Sequence, residues 1–254
     1  MAEASLATPR LRLARADELL DIFYPAISAY IQRHPYTIPD ELEREGEWHV
    51  QRIFIQESPD PAWSLLLSEV IHHLRSALDN LVWQLIRLNG EEPTCRSQFP
   101  IYTKRAPSVE RLDTMLGGVG DDHRTRIEDL QPHLGGDHPV RRALSELVQA
   151  SNVDKHRFLH GAFGVMRNAP KPEVSFRDES VHSRLEVVYQ YGPLEDGAVF
   201  VRYRFQARGE AHVDVNSAFP IEIVFGDREL GGDTIEELRL RVVEIVESFA
   251  SDFD

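Results

Sequence analysis

The longest amphipathic pattern in this chain lies in residues 60–90, whose sequence is DPAWSLLLSEVIHHLRSALDNLVWQLIRLNG. Asp60 is a favoured N-cap, Pro61 suits the first helical position, and Gly90 favours the end of a helix. The roughly 28 residues between these ends would form a helix about 42 Å long. Its apolar residues recur every three or four positions; they are Leu67, Ile71, Leu74, Leu78, Leu81 and Leu85. The pattern predicts a central core helix.

A second stripe of this helix is polar. Successive residues point about 100° apart, which places four polar residues on one side, away from the leucines. These polar residues are Ser68, His72, Arg75 and Asp79, and the apolar residues of the same stripe are Leu65, Trp83 and Ile86. Charges between large apolar side chains are expected to be at least half covered, so they need partners.

A second long helix is predicted from Pro139 to about Phe163. Its apolar face consists of Val140, Leu144, Leu147, Val148, Phe158 and Leu159. Ser151, Asp154 and Lys155 project into that same face, and His156 lies at its flank. We therefore expect the two helices to pair, with Asp154 against Arg75 or His72 and Lys155 against Asp79. If the pair is buried, Asp154→Ala would cost about 3–5 kcal/mol.

Two interpretations of this cluster stay open. In the first, it is a buried ion-pair network that fixes the register of two helices and has no chemistry. In the second, acids, imidazoles and cations in a partly covered groove form a catalytic or ligand-binding site. The candidate catalytic residues are His72, Arg75, Asp79, Asp154, Lys155 and His156.

The remaining pattern predicts an α+β fold. A first helix runs from about Ala14 to Arg33 with a kink or break at Pro25, and a β-hairpin lies within residues 36–57 around the turn Glu45-Gly46. After residue 172 the pattern becomes that of an antiparallel sheet, followed by a helix over residues 234–249 that packs on it. The predicted strands are Val174–Arg177, Arg184–Tyr191, Val199–Gln206, Ala211–Val215 and Ile221–Phe225, with Val187, Tyr189, Val201 and Tyr203 at least partly buried. We expect a mainly helical domain over 1–171 and a sheet domain over 172–254, packed as one globular unit.

Composition restricts the function. The 254 residues include 28 Lys or Arg and 42 Asp or Glu, a formal net charge of −14. Such a charge disfavours nucleic acid and anionic membranes as partners, although residues 141–171 are locally basic. A single cysteine, Cys95, excludes an intrachain disulfide and a Cys-rich zinc site. Together with an N-terminus that lacks the apolar run of a signal peptide, it favours the cytoplasm.

Two motifs resemble a known family. The segments IHHLRSALDNLVW (71–83) and NVDKHR (152–157), with Phe99-Pro100-Ile101 between them, resemble a family of uncharacterised bacterial proteins that is frequent in actinobacteria and their phages. Its members share an LRSALD helix, an FPI segment and a DKHR helix. The resemblance covers about Leu13 to Leu159 and implies no activity.

A second resemblance concerns the spacing within the LRSALD helix. Relatives carry His at the position of Asn80, and Arg followed by His at that distance is similar to the motif of HEPN-type ribonucleases. Those are all-α domains that usually dimerise, and their Arg and His act at the scissile phosphate of RNA. Here Asn80 replaces the His, and an amide cannot act as a general base.

A metal site is a further alternative. Glu69 and His72 have the Glu-x-x-His spacing of helical-bundle metal sites, but the predicted helices offer no second such pair. We therefore expect no cofactor. The favoured hypothesis is a non-catalytic binding or structural module with a protein partner or a second copy, in a phage or defence setting. The alternative hypothesis is a HEPN-like enzyme that processes RNA or phosphate through Arg75, Asp79, Asp154 and His156.

Overall fold

A computed structural model of the chain describes residues 3–43, 48–156, 161–165, 173–176, 184–190, 193–206, 213–216, 221–225 and 230–254. Within these residues the protein is α+β and its strands pair antiparallel, which confirms the predicted fold class. By its internal contacts the chain divides into two units. Unit 1 comprises Met1–Tyr24, Ala62–Leu159 and Asp233–Asp254, and unit 2 comprises Pro25–Pro61 and His160–Gly232. Each unit thus combines separate stretches of chain, whereas the sequence analysis divides the chain once, after residue 171.

The helices are α1 (Ala7–Gln32), α2 (Ala62–Leu88), α3 (Val109–Leu116), α4 (Asp121–Asp129), α5 (Pro139–His156) and α6 (Gly232–Glu247). Helix α1 begins seven residues earlier than predicted and continues through Pro25. Short 3-10 helices follow α4 (Pro132–Leu134) and α6 (Ala250–Phe253). No helix among the described residues is both long enough and apolar enough to cross a membrane.

Helix α2 is the centre of unit 1, as its leucine pattern predicts. The six apolar residues of the predicted seam are all at most 1% exposed. Burial of each such side chain stabilises the fold by about 1.5–3 kcal/mol. Helix α5 packs against α2 within the same unit, so the predicted pairing of these two helices is confirmed.

Unit 2 contains the strands. They are β1 (Tyr36–Thr37), β2 (Asp40–Leu42), β3 (His49–Arg52), β4 (Phe54–Ile55), β5 (Gly161–Val165), β6 (Glu173–Phe176), β7 (Arg184–Tyr189), β8 (Pro193–Leu194), β9 (Val199–Gln206), β10 (Val213–Asn216) and β11 (Ile221–Phe225). The predicted N-terminal hairpin is confirmed, because β2 pairs with β3 from Asp40 opposite Gln51 to Leu42 opposite His49. The residues predicted to form its turn, Glu45-Gly46, lie outside the described part of the chain.

The sheets differ from the meander that the sequence predicts. Strands β6 to β11 belong to three sheets, with strand orders β2-β3-β9-β7, β11-β5-β8 and β10-β6. Two of these sheets also contain strands from before residue 172, namely β2, β3 and β5. Local periodicity cannot reveal such long-range pairing. The predicted burial is nevertheless confirmed, since Val201 and Tyr203 are 2% and 0% exposed and Val187 and Tyr189 are half-buried.

The predicted extension of α5 to Phe163 is wrong. Helix α5 ends at His156, and residues 161–165 form β5 opposite β11. Glycine is unfavourable inside a helix, and β5 contains Gly161 and Gly164. A Cβ atom at Gly164 would lie 2.7 Å from Val224 Cγ2, so the close approach of β5 and β11 requires glycine there.

Helix α6 has the apolar face that the sequence predicts. Ile235, Leu238, Val242, Ile245 and Val246 are all buried. By its contacts α6 belongs to the helical unit 1, where Arg239 Nη1 lies 3.3 Å from Asp17 Oδ1 of α1. The sequence pattern instead predicts that this helix packs on the sheet.

Candidate functional site

Arg75 and Asp79 lie one turn apart on α2 and form an ion pair, with Arg75 Nη2 2.9 Å from Asp79 Oδ1. Their side chains are 17% and 32% exposed, so both are partly covered. The covered part of the predicted polar stripe is therefore short. Leu65 and Trp83, which flank its four polar residues, are 57% and 40% exposed, and His72 is also exposed, whereas Ile86 is 0% exposed.

The covering element is an extended segment, residues 97–102, which we call the clamped segment. Arg75 Nη2 donates a hydrogen bond to the carbonyl oxygen of Phe99 at 2.6 Å. The backbone N–H of Phe99 donates to Asp79 Oδ1 at 2.9 Å. The ion pair thus satisfies both backbone polar groups of a residue whose side chain is 0% exposed. Hydrogen bonds with a charged partner are about twice as strong as neutral ones.

The first half of the clamped segment is also held by hydrogen bonds to its backbone. Trp83 Nε1 donates to the carbonyl oxygen of Ser97 at 3.2 Å. The N–H of Gln98 donates to the carbonyl oxygen of Met115, at the end of α3, at 3.3 Å. Backbone groups of this segment that are buried need such partners, because unpaired buried N–H and C=O groups are costly.

Gln131 holds the second half. Its Nε2 atom donates to the carbonyl oxygens of Pro100 at 2.9 Å and Ile127 at 3.0 Å. Its Oε1 atom accepts from the N–H of Tyr102 at 3.1 Å. Gln131 is only 1% exposed, so its amide replaces the hydrogen bonds that a neighbouring strand would supply.

The imidazoles beside this ion pair are arranged differently. His72 Nε2 lies 3.4 Å from Ser76 Oγ on the exposed side of α2. Burial lowers the pKa of His73, and the nearby positive charge of Arg12 lowers it further. The Nδ1 atom of His73 is buried and has no hydrogen-bond partner among the described residues.

Asn80 occupies the position where the HEPN-like spacing requires a histidine. Its Nδ2 atom donates to the carbonyl oxygen of Ser76 at 2.7 Å, one turn earlier in α2. The amide therefore bonds to its own helix, and it cannot take up a proton at neutral pH.

The three candidates on α5 are only partly described. Asp154, Lys155 and His156 lie in the last turn of α5, but their side chains are outside the described part of the structure. Their pairing with Arg75 and Asp79 stays a prediction. Ser151, which the sequence places on the same face, is 8% exposed and therefore buried as expected.

The structure adds two residues that the sequence pattern does not predict. The backbone N–H and C=O of Phe99 complete the hydrogen bonding of Arg75 and Asp79. The Gln131 side chain bonds the backbone of the clamped segment on the other side of Phe99. The pairing with Phe99 could have been suspected from the sequence, because the Arg–Asp pair on a helix and the extended FPI segment both lack obvious hydrogen-bond partners. Gln131 gives no such signal, since a glutamine before a proline is ordinary in an exposed loop.

No group of three or more His, Cys, Asp or Glu side chains within the described ranges has the arrangement of a metal site. Comparison of the chain with protein-family models, with curated proteins and with solved structures finds no match.

Proposed function

We propose that this protein is a non-catalytic binding or structural module in which Arg75 and Asp79 fix the fold. The observation that carries the proposal is that both side chains bind the backbone of one residue of their own chain, Arg75 at the carbonyl oxygen and Asp79 at the N–H of Phe99. A catalytic acid, base or anion-binding cation must instead face a substrate.

Two further features support a non-catalytic role. Asn80 stands at the position of the HEPN-like histidine and bonds within its own helix. The net charge of −14 opposes the approach of RNA, whose phosphates carry the same sign. The partner of such a module would be another protein or a second copy of this chain, in a phage or defence setting. Because Cys95 is an exposed free thiol, we place the protein in the reducing cytoplasm.

The test combines a cleavage assay with a stability measurement. Purified protein is incubated with a mixed RNA pool, and Asp79→Ala and Glu18→Ala variants are unfolded with urea. We expect intact RNA, and a loss of about 1–3 kcal/mol for Asp79→Ala because the N–H of Phe99 loses its acceptor. Glu18→Ala is the matched control, because its ion pair with Arg15 is exposed and is worth about 0–1 kcal/mol.

The opposite outcome would favour the HEPN-like enzyme. RNA cleavage by the wild-type protein that disappears in Asp79→Ala, with unchanged urea unfolding, would assign the ion pair a catalytic role. The proposal would then be wrong.

A further inference from the structure

A groove of about 460 Å³ lies in unit 1 between the loop before the clamped segment and α3. Its lining residues are Cys95, Arg96, Gln98, Ser108, Glu110, Arg111, Thr114 and Met115. The volume falls within the range of about 300–1,000 Å³ that is typical of sites for small molecules. The lining is mostly polar, with two guanidinium groups and one carboxylate.

The two guanidinium groups of the groove have no carboxylate partner within the described part of the chain. Acids outnumber bases by 42 to 28, and many of the described arginines have a carboxylate partner. Arg96 and Arg111 form no ion pair with any described residue, although Glu110 also lines the groove. Unpaired guanidinium groups can provide forked hydrogen bonds to phosphate or carboxylate oxygens.

Arg111 is held in position by an aromatic ring. Its Cζ atom lies 5.7 Å from the centroid of the Tyr102 ring, within the range of a cation–π interaction. The backbone of Tyr102 is itself fixed, because its N–H donates to Gln131 and its carbonyl accepts from the N–H of His133 at 2.8 Å. A guanidinium that is already oriented loses less conformational entropy when it binds a ligand.

We propose that this groove binds a small anionic ligand, a phosphate ester or a carboxylate, through Arg96 and Arg111. Met115 and the methylene groups of the arginines would contact the uncharged part of such a ligand. The proposal deepens the proposed function, because it gives a ligand class to a non-catalytic binding module. It involves no chemical step.

Cys95 provides the test, because it lines the groove and is the one cysteine of the chain. The rate at which a neutral maleimide labels Cys95 is measured with inorganic phosphate, AMP, citrate or adenosine at about 5 mM, with sodium chloride holding the ionic strength constant. For a dissociation constant of about 1 mM, bound anion would slow labelling about sixfold. Slowing by phosphate and AMP would identify a phosphate ligand, and slowing by citrate a carboxylate ligand. Adenosine is expected to have no effect.

Matched variants separate binding from a general effect of charge. Arg96→Gln and Arg111→Gln should abolish the protection, whereas Arg12→Gln, which removes the same charge from α1 outside the groove, should retain it. Equal labelling rates with and without anions, or equal protection in all three variants, would overturn the inference. Neither result depends on the RNA cleavage assay, so failure of the groove and failure of the non-catalytic assignment are distinguishable.

Discussion

The buried side chain of Gln131 provides hydrogen-bond partners for the backbone of the clamped segment. Its single amide pairs with two carbonyl groups and one N–H group, from Pro100, Ile127 and Tyr102. Replacing it with an apolar residue of similar size would remove this partner from the carbonyl oxygen of Pro100 and the N–H of Tyr102, whereas the carbonyl oxygen of Ile127 would keep its hydrogen bond from the N–H of Leu130. Such groups are costly even where the hydrogen bond itself contributes little net stability.

We expect Gln131→Leu to lower the free energy of unfolding by about 1–3 kcal/mol or more, because the Pro100 carbonyl and the Tyr102 N–H lose their partner together. Urea unfolding measures the change. The control is Gln32→Leu, because the side chain of Gln32 is exposed and bonds only to Ser28 at 3.4 Å. A surface substitution of that kind should change stability by no more than about 0.5 kcal/mol. Equal effects of the two substitutions would contradict the structural role of Gln131.

His73 predicts a dependence of stability on pH. Its pKa in the folded protein lies below the ordinary value of 6.5, chiefly because burial disfavours the charged ring and also because Arg12 repels it. The unfolded chain therefore binds a proton first as the pH falls, and folding stability decreases below about pH 6.5. The other charged groups that act on it are His72, Arg15 and Glu69.

We expect the wild-type protein to lose more stability between about pH 7 and pH 5 than His73→Gln, which cannot titrate. Arg12→Gln should give an intermediate slope, since it removes one of the repelling charges. Urea unfolding at a series of pH values measures these slopes. Parallel curves for all three proteins would refute the assignment.

At the scale of elements, side chains of α2 take the place of a neighbouring strand for the clamped segment. Arg75, Asp79 and Trp83 recur at intervals of four residues along one face of α2, and each bonds the backbone of residues 97–99. An extended chain rises about 3.3 Å per residue and a helix about 5.4 Å per turn. Trp83, one turn beyond Asp79, therefore reaches Ser97, two residues before Phe99. The LRSALD motif therefore acts here as a backbone-binding surface within the chain.

The pairing of β5 with β11 gives an element-scale prediction. Gly164→Ala should lower the free energy of unfolding by about 1–3 kcal/mol, because the new methyl group would overlap Val224. Adding Val224→Ala should recover part of that loss, since the obstructing methyl groups are removed. A double-mutant cycle by urea unfolding measures the coupling. Strictly additive effects would show that the two residues are not in contact.

At the scale of the whole molecule, charge is the dominant property. With a net charge of −14 and an excess of acids throughout much of the sequence, the protein should repel polyanions. The basic stretch over residues 141–171 and the groove at Arg96 and Arg111 are local exceptions. A small anion can bind at such a local basic site, whereas a long RNA would also lie close to the surrounding acidic residues, which repel it.

We therefore expect no electrophoretic shift of mixed RNA or DNA at about 150 mM salt, where charges beyond roughly 8 Å are screened. Lowering the salt strengthens both attraction and repulsion, so only a true binding site would produce a shift. A tight complex that weakens steeply as salt rises would contradict this expectation and favour the enzyme hypothesis.

Sequence alone determined the elements whose signal is local. The six apolar residues of α2 and the five of α6 recur at helical spacing, and the bounds of β9 and β11 follow from alternation between turn residues. The polar stripe on α2 was also visible, because a charge between apolar neighbours marks a need for partners. These features depend on residues within a few positions of each other, which backbone geometry alone brings onto one face.

Tertiary structure decided which groups meet. The backbone of Phe99 bonds Arg75 and Asp79, which lie about 20 residues earlier in the chain. Strand β3 pairs with β9, about 150 residues away. Residues 161–165 form a strand that pairs with β11. Each outcome depends on bringing distant segments together, where the entropy of loop closure and the satisfaction of buried hydrogen bonds set the free energy. Periodicity contains no information on either quantity, so the sequence revealed the need for partners and only the folded chain supplied them.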